Sequence, residues 1–176
     1  MLNENSRMER MIQEARNATR NAAENITKYN AKRGDMDLTD VILQNNYKSI
    51  GESVFTNEEI PDEVALAAVS ICRRRFKQED IVLLDVLDND EEGESGVAFT
   101  KDKLYYWEED ENYKGALAYA DIVEVDYDES VVYVTTESER LEIFCGYDSN
   151  SYCRQMYNFL MDIMEGVAAI IKENGL

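Results

Sequence analysis

The chain contains no histidine, only three cysteines, and 18 lysines and arginines against 37 aspartates and glutamates in 176 residues. Without histidine the usual proton acceptor near neutral pH is missing, and a Ser-His or Cys-His nucleophile is excluded. Cys72, Cys145 and Cys153 are odd in number and show no C-x-x-C spacing, which argues against a disulfide framework or a zinc site and for a reducing, cytoplasmic setting. Cys145 and Cys153 read as small interior residues rather than reactive thiols. No apolar run approaches the length of a membrane span, and Met1 to Arg10 is polar where a secretory signal needs an apolar stretch. No glycine-rich phosphate cradle is present. The carboxylates that could act as acid and base fall in solvated turns, where nothing would raise a pKa. These absences predict a protein that is not an enzyme, with no catalytic residue, no metal site and no cofactor.

The chain does have enough apolar material to fold. Aliphatic and aromatic residues make up 44%, with 11 tyrosines, so the acidity does not imply disorder. The charge is also unevenly placed. Residues 1–78 carry 12 acidic and 12 basic residues, whereas residues 79–176 carry 25 acidic against 6 basic, which is the whole net charge of -19. A neutral first part is followed by an acidic second part.

The hydrophobic pattern divides the chain at about the same place. Over 6–32 small and apolar residues recur at helical spacing, and Gly34 follows. This thin stripe requires a partner in the body, in another helix or in a second copy of the chain. Further helices are predicted over 38–50 and, after a capping box formed by Thr56 and Glu59 and a first-turn Pro61, up to about residue 77. Arg73, Arg74, Arg75 and Lys77 would then sit at the negative pole of that helix or pair with the acidic half.

From residue 79 the period shortens to that of strands, predicted over 81–87, 96–100, 104–107, 116–119, 122–126, 131–135 and 141–144. Short polar turns between them imply an antiparallel sheet. A closing amphipathic helix is predicted over 149–174, long enough to cover the open end of a small barrel or a pair of sheets. The expected class is α+β: a seven-stranded antiparallel barrel or sandwich capped by a C-terminal helix. Residues 1–78 form a helical docking or oligomerisation arm and residues 79–176 the β domain.

Seven strands and then one helix is the order of the pleckstrin-homology superfold. Gly96-Val97-Ala98-Phe99-Thr100, followed by Leu104-Tyr105-Tyr106, is similar to a strand pair of many bacterial PH-like domains, and Tyr119-Ala120-Asp121-Ile122 resembles their step into the fifth strand. The resemblance covers about residues 79–174. It implies a binding module for phosphoinositides, peptides or proteins, with no shared catalytic apparatus. Lipid-binding relatives carry lysine and arginine after the first strand. Here that loop holds Asp88, Asp90, Glu91, Glu92 and Glu94, which would repel an anionic head group or membrane.

The same loop matches the early positions of a calcium-binding EF-hand, with Asp88, Asp90, Glu92 and Gly93. It has Phe99 where the bidentate glutamate belongs, so a solvated acidic hairpin tip is the better reading. Two more acidic turns follow, Glu108-Glu109-Asp110-Glu111 and Asp126, Asp128 and Glu129. With Tyr106, Trp107 and Tyr113 they compose the expected partner-binding surface, suited to lysine and arginine through ion pairing and cation-π contact. The sequence thus predicts an interaction module for a basic protein surface or segment, with no direct nucleic-acid contact and with homo-oligomer contacts open to the N-terminal helices. The alternative is an acidic inhibitor or immunity protein that imitates nucleic acid and blocks a basic toxin or defence nuclease.

Overall fold

The strands form two antiparallel sheets with a main core between them and a second, smaller core on the other face of the first sheet. The computed structural model describes residues 36–48, 53–90, 93–108, 112–146 and 149–173, with 58, 88–90, 93–94 and 112–113 described by backbone alone. The helix expected over 6–32, and the oligomer contact assigned to it, lie outside the described residues.

The first sheet has five strands in sequence order: β1 (Val54–Thr56), β2 (Ile81–Asp90), β3 (Gly93–Thr100), β4 (Lys103–Glu108) and β5 (Asn112–Ala118). The second has three, β6 (Ile122–Tyr127), β7 (Val131–Thr136) and β8 (Arg140–Phe144). Helix α3 (Asn150–Glu173) closes the chain. The described residues form eight strands where seven were expected: β1 is the addition, its three residues too few to show a period, and the strand expected over 116–119 runs instead from Asn112 to Ala118, with Tyr119 in a 3-10 turn. The strands form two separate sheets rather than a closed barrel.

Valines of the second sheet, Val125, Val132 and Val134, face Val97, Phe99, Leu104 and Tyr106 of the first across the main core. Phe159, Leu160 and Ile163 of α3 enter the same core, and the Phe159 ring meets Phe99 edge-on at 5.1 Å. Such burial and edge-to-face contact are what hold a sandwich of this size together.

Residues 36–78 join this body. Helix α1 (Thr39–Asn45) sends Ile42 into the main core, and Leu38, just before its first turn, enters with it. Gly166 lets α3 approach it, since a Cβ there would stand 3.0 Å from Val41. The helix stops at Asn45 instead of continuing to residue 50, because the side-chain amides of Asn45 and Asn46 take the carbonyls of Val41 and Leu43 and Asn46 turns to an extended backbone.

Helix α2 (Asp62–Ile71) lies on the other face of the first sheet. There Ala65, Ala68, Cys72 and Phe76 form a second core with Leu84, Ala98, Tyr105 and Trp107. Thr56 does hydrogen-bond Glu59, at 3.0 Å, but across a short 3-10 turn, and α2 begins only after Pro61. It also ends six residues before the expected position. Arg73 and Arg74 adopt left-handed backbone (φ 55° and 54°), and their N–H groups bond the carbonyls of Ser70 and Val69, a Schellman closure made without glycine. The reversal brings Phe76 back under the sheet, 4.5 Å from the Tyr105 ring.

Both faces of the first sheet are therefore covered. This accounts for the apolar run Ile81 to Leu84 that opens β2 and for four successive buried residues, Leu104 to Trp107, in β4.

Candidate functional site

Of the residues expected to meet a partner, two are interior. Tyr106 faces the main core, and its hydroxyl accepts the N–H of Phe144 on β8 at 3.1 Å and donates to Glu108 at 2.8 Å, bridging the two sheets. Trp107 faces the second core and lies over Gly96, where a Cβ would come within 2.4 Å of the indole. Neither ring is available to a partner, because α2 and the second sheet cover the two faces that a lone sheet would have left open. The indole N–H of Trp107 is buried with no hydrogen-bond partner among the described residues.

Asp88, Asp90 and Glu94 stand on strand backbone rather than in a loop: the β2–β3 ladder continues through Asp88–Ser95 to the Asp90–Gly93 pair. Glu91 and Glu92 lie outside the described residues, as do Glu109, Asp110 and Glu111. Tyr113 pairs with Trp107 across β4 and β5, and Glu108 ends β4 with its carboxylate 2.6 Å from Lys114.

Asp126, Asp128 and Glu129 are exposed and gather at the β6–β7 hairpin. The turn is built by Asp128, whose Oδ1 accepts the N–H groups of Ser130 and Val131 and whose Oδ2 accepts the Tyr133 hydroxyl at 2.6 Å. Those bonds, the phenol's first, hold the Asp128 carboxyl below its ordinary range and raise the phenol of Tyr133.

Register extends this cluster over the outer face of the second sheet. Asp126, Tyr133 and Glu142 lie abreast on β6, β7 and β8, and Glu124, Thr135 and Arg140 form the next row. Their strand neighbours Val125, Val132, Val134 and Ile143 are buried, so these side chains point to solvent. The Arg140 guanidinium carbon sits 4.0 Å from the centre of the Tyr133 ring, and its Nε is 3.9 Å from Glu142. Sequence reasoning had not singled out Glu124, Tyr133, Arg140 or Glu142. The available signal was the alternation of Val132-Tyr133-Val134, which turns a lone tyrosine outward.

A second constellation is buried. Asp85, in the middle of β2, is fully enclosed, with Oδ2 2.6 Å from the Tyr47 hydroxyl and Oδ1 2.5 Å from that of Tyr152. Burial pushes its carboxyl up to about 6, opposed by the two phenol hydrogen bonds, and burial likewise raises both phenols. Cys145 and Cys153 lie close by, and burial raises both thiols. This arrangement fastens the segment after α1 and the first turn of α3 to β2.

Among the described residues no three histidine, cysteine, aspartate or glutamate side chains converge so as to hold a metal, and no helix is long and apolar enough to cross a membrane. A depression of about 410 Å³ is lined by Asn57, Ile60, Asp62, Gln78, Glu79 and Ile81. The Asp62 carboxylate there is already taken by Gln78 at 2.6 Å. No family, curated protein or solved structure matches the chain.

Proposed function

We propose that this chain is a non-enzymatic, cytoplasmic interaction module of pleckstrin-homology type that holds a basic protein through an acidic surface. Support for the fold reading is the order of elements, four strands from β2 to β5, three from β6 to β8 and then α3, with the two sheets facing one core. In this reading α1, β1 and α2 are additions to the superfold.

Support for the partner is the composition of the second sheet. Between Ile122 and Phe144 seven carboxylates, Glu124, Asp126, Asp128, Glu129, Glu137, Glu139 and Glu142, stand exposed beside one arginine. Like charges so gathered repel one another, and a cationic partner relieves that repulsion. The same field disfavours an anionic membrane or a nucleic acid.

Titration with a lysine-rich peptide tests the reading. The double variant Asp126→Lys, Glu142→Lys should weaken binding about ten-fold or more, and binding should collapse as salt rises toward about 0.15 M. The charge-matched control Glu63→Lys, Glu165→Lys should retain most of the affinity. Equal losses in the two double variants would mean that bulk charge, not this face, attracts the peptide.

A second reading, an inhibitor that imitates nucleic acid, draws on the recurrence of Glu124 and Asp126 at alternate positions of β6 with Asp128 following, a row of anions along one edge. A nuclease assay separates the two: an inhibitor suppresses cleavage by its target, whereas a plain module leaves it unchanged.

A further inference from the structure

The outer face of the second sheet already has a guanidinium seated on it. Arg140 is the sole base between Ile122 and Phe144, and it lies 4.0 Å over the Tyr133 ring, flanked by Glu142 at 3.9 Å. The hydroxyl of Tyr133 is spent on Asp128, which anchors the phenol to the hairpin. Asp126 and Glu142 stand on either side of Tyr133 across the strands.

From this arrangement we infer that the face selects arginine over lysine, with Tyr133 as the platform for a partner's guanidinium and Arg140 as an internal occupant that competes for it. The inference rests on the acidic-face reading above and narrows its partner to an arginine-bearing segment.

The chemistry of the two cations separates them. A guanidinium is planar and weakly hydrated, so it stacks on an aromatic face while its N–H groups reach carboxylates at the rim. An ammonium is compact and strongly hydrated, and gains mainly from the summed negative charge. Arg140 is loosely held: its contact with Glu142 is at the outer limit of an ion pair, and both side chains are exposed. An incoming arginine therefore displaces it at small cost.

The experiment is a fluorescence titration of the full chain with oligo-arginine and oligo-lysine peptides of equal length. The unmodified chain should bind the arginine peptide about two- to five-fold more tightly, the range of an exposed cation-π contact. Tyr133→Ala should erase that preference and Tyr133→Phe should keep it. Arg140→Ala should strengthen arginine-peptide binding more than lysine-peptide binding, because both gain from the lost positive charge but one gains the vacated ring.

Equal affinities in the unmodified chain, or a preference that survives Tyr133→Ala, would overturn the inference while leaving the acidic face intact as a docking surface. If neither peptide bound at low salt, the acidic-face reading would fail as well. Should Tyr133→Ala fail to fold, the unmodified chain and Arg140→Ala still decide the matter.

Discussion

The phenol of Tyr152, in the first turn of α3, donates to the carboxylate of Asp85 at 2.5 Å, tying the closing helix to the centre of the first sheet. Tyr47 does the same from the opposite oxygen, and its ring meets that of Tyr152 edge-on at 5.9 Å. The carboxyl group is enclosed, and its value near 6 stands above the 3.8 of an unfolded aspartate. The native state therefore holds a proton that the unfolded state has released between those two values. Stability from this group is fully present below about pH 3.8 and is lost as pH rises through about 6. The difference amounts to ~3 kcal/mol. Urea unfolding between pH 4 and 7 should show that loss in the unmodified chain relative to Asp85→Asn, which keeps polar contacts to the phenols without a charge. Parallel pH profiles for the two proteins would contradict it.

Gly96 is predicted to tolerate no side chain. A Cβ would lie 2.4 Å from the Trp107 ring and 2.7 Å from the Asp85 carbonyl, and the latter belongs to backbone in a paired strand. Gly96→Ala should lower stability by about 1–3 kcal/mol, the usual range for overpacking. Thermal unfolding and near-UV circular dichroism of Trp107 would register both the loss and the displaced indole.

Tyr106→Phe separates a structural role from a binding one. The substitution keeps the ring in the core but removes the hydroxyl that accepts from Phe144 and donates to Glu108. It should cost about 0.5–1.5 kcal/mol, the net worth of a hydrogen bond between half-buried groups. Binding of a lysine-rich peptide should be unchanged once the protein is folded. A large change in affinity with no change in stability would return Tyr106 to the binding surface.

Much of the β architecture was legible in the sequence because its cues are local. Turn residues bound each short apolar run from Ile81 to Phe144, and the stripe of α3 holds from Tyr152 to Ile171. What escaped detection depends on distant packing. Nothing in Arg73-Arg74 signals two left-handed residues, since the chain reverses there to return Phe76 to Tyr105. The burial of both Tyr106 and Trp107 follows from α2 covering a face that strand alternation alone would leave open. The warning was present in Leu104-Tyr105-Tyr106-Trp107, which does not alternate. Asp85 was equally visible, as a lone acid inside an apolar run, but its two phenol partners come from 38 residues before it and 67 after.

The seat of α2 on the first sheet also governs how the protein can be cut. A fragment beginning at residue 79 would retain every strand from β2 to β8 and α3, yet it would lay bare Leu84, Ala98, Tyr105 and Trp107 in one patch. Such a fragment would be sticky, prone to precipitate when expressed, and a poor substitute in any recombinant assay for a chain that starts upstream of β1.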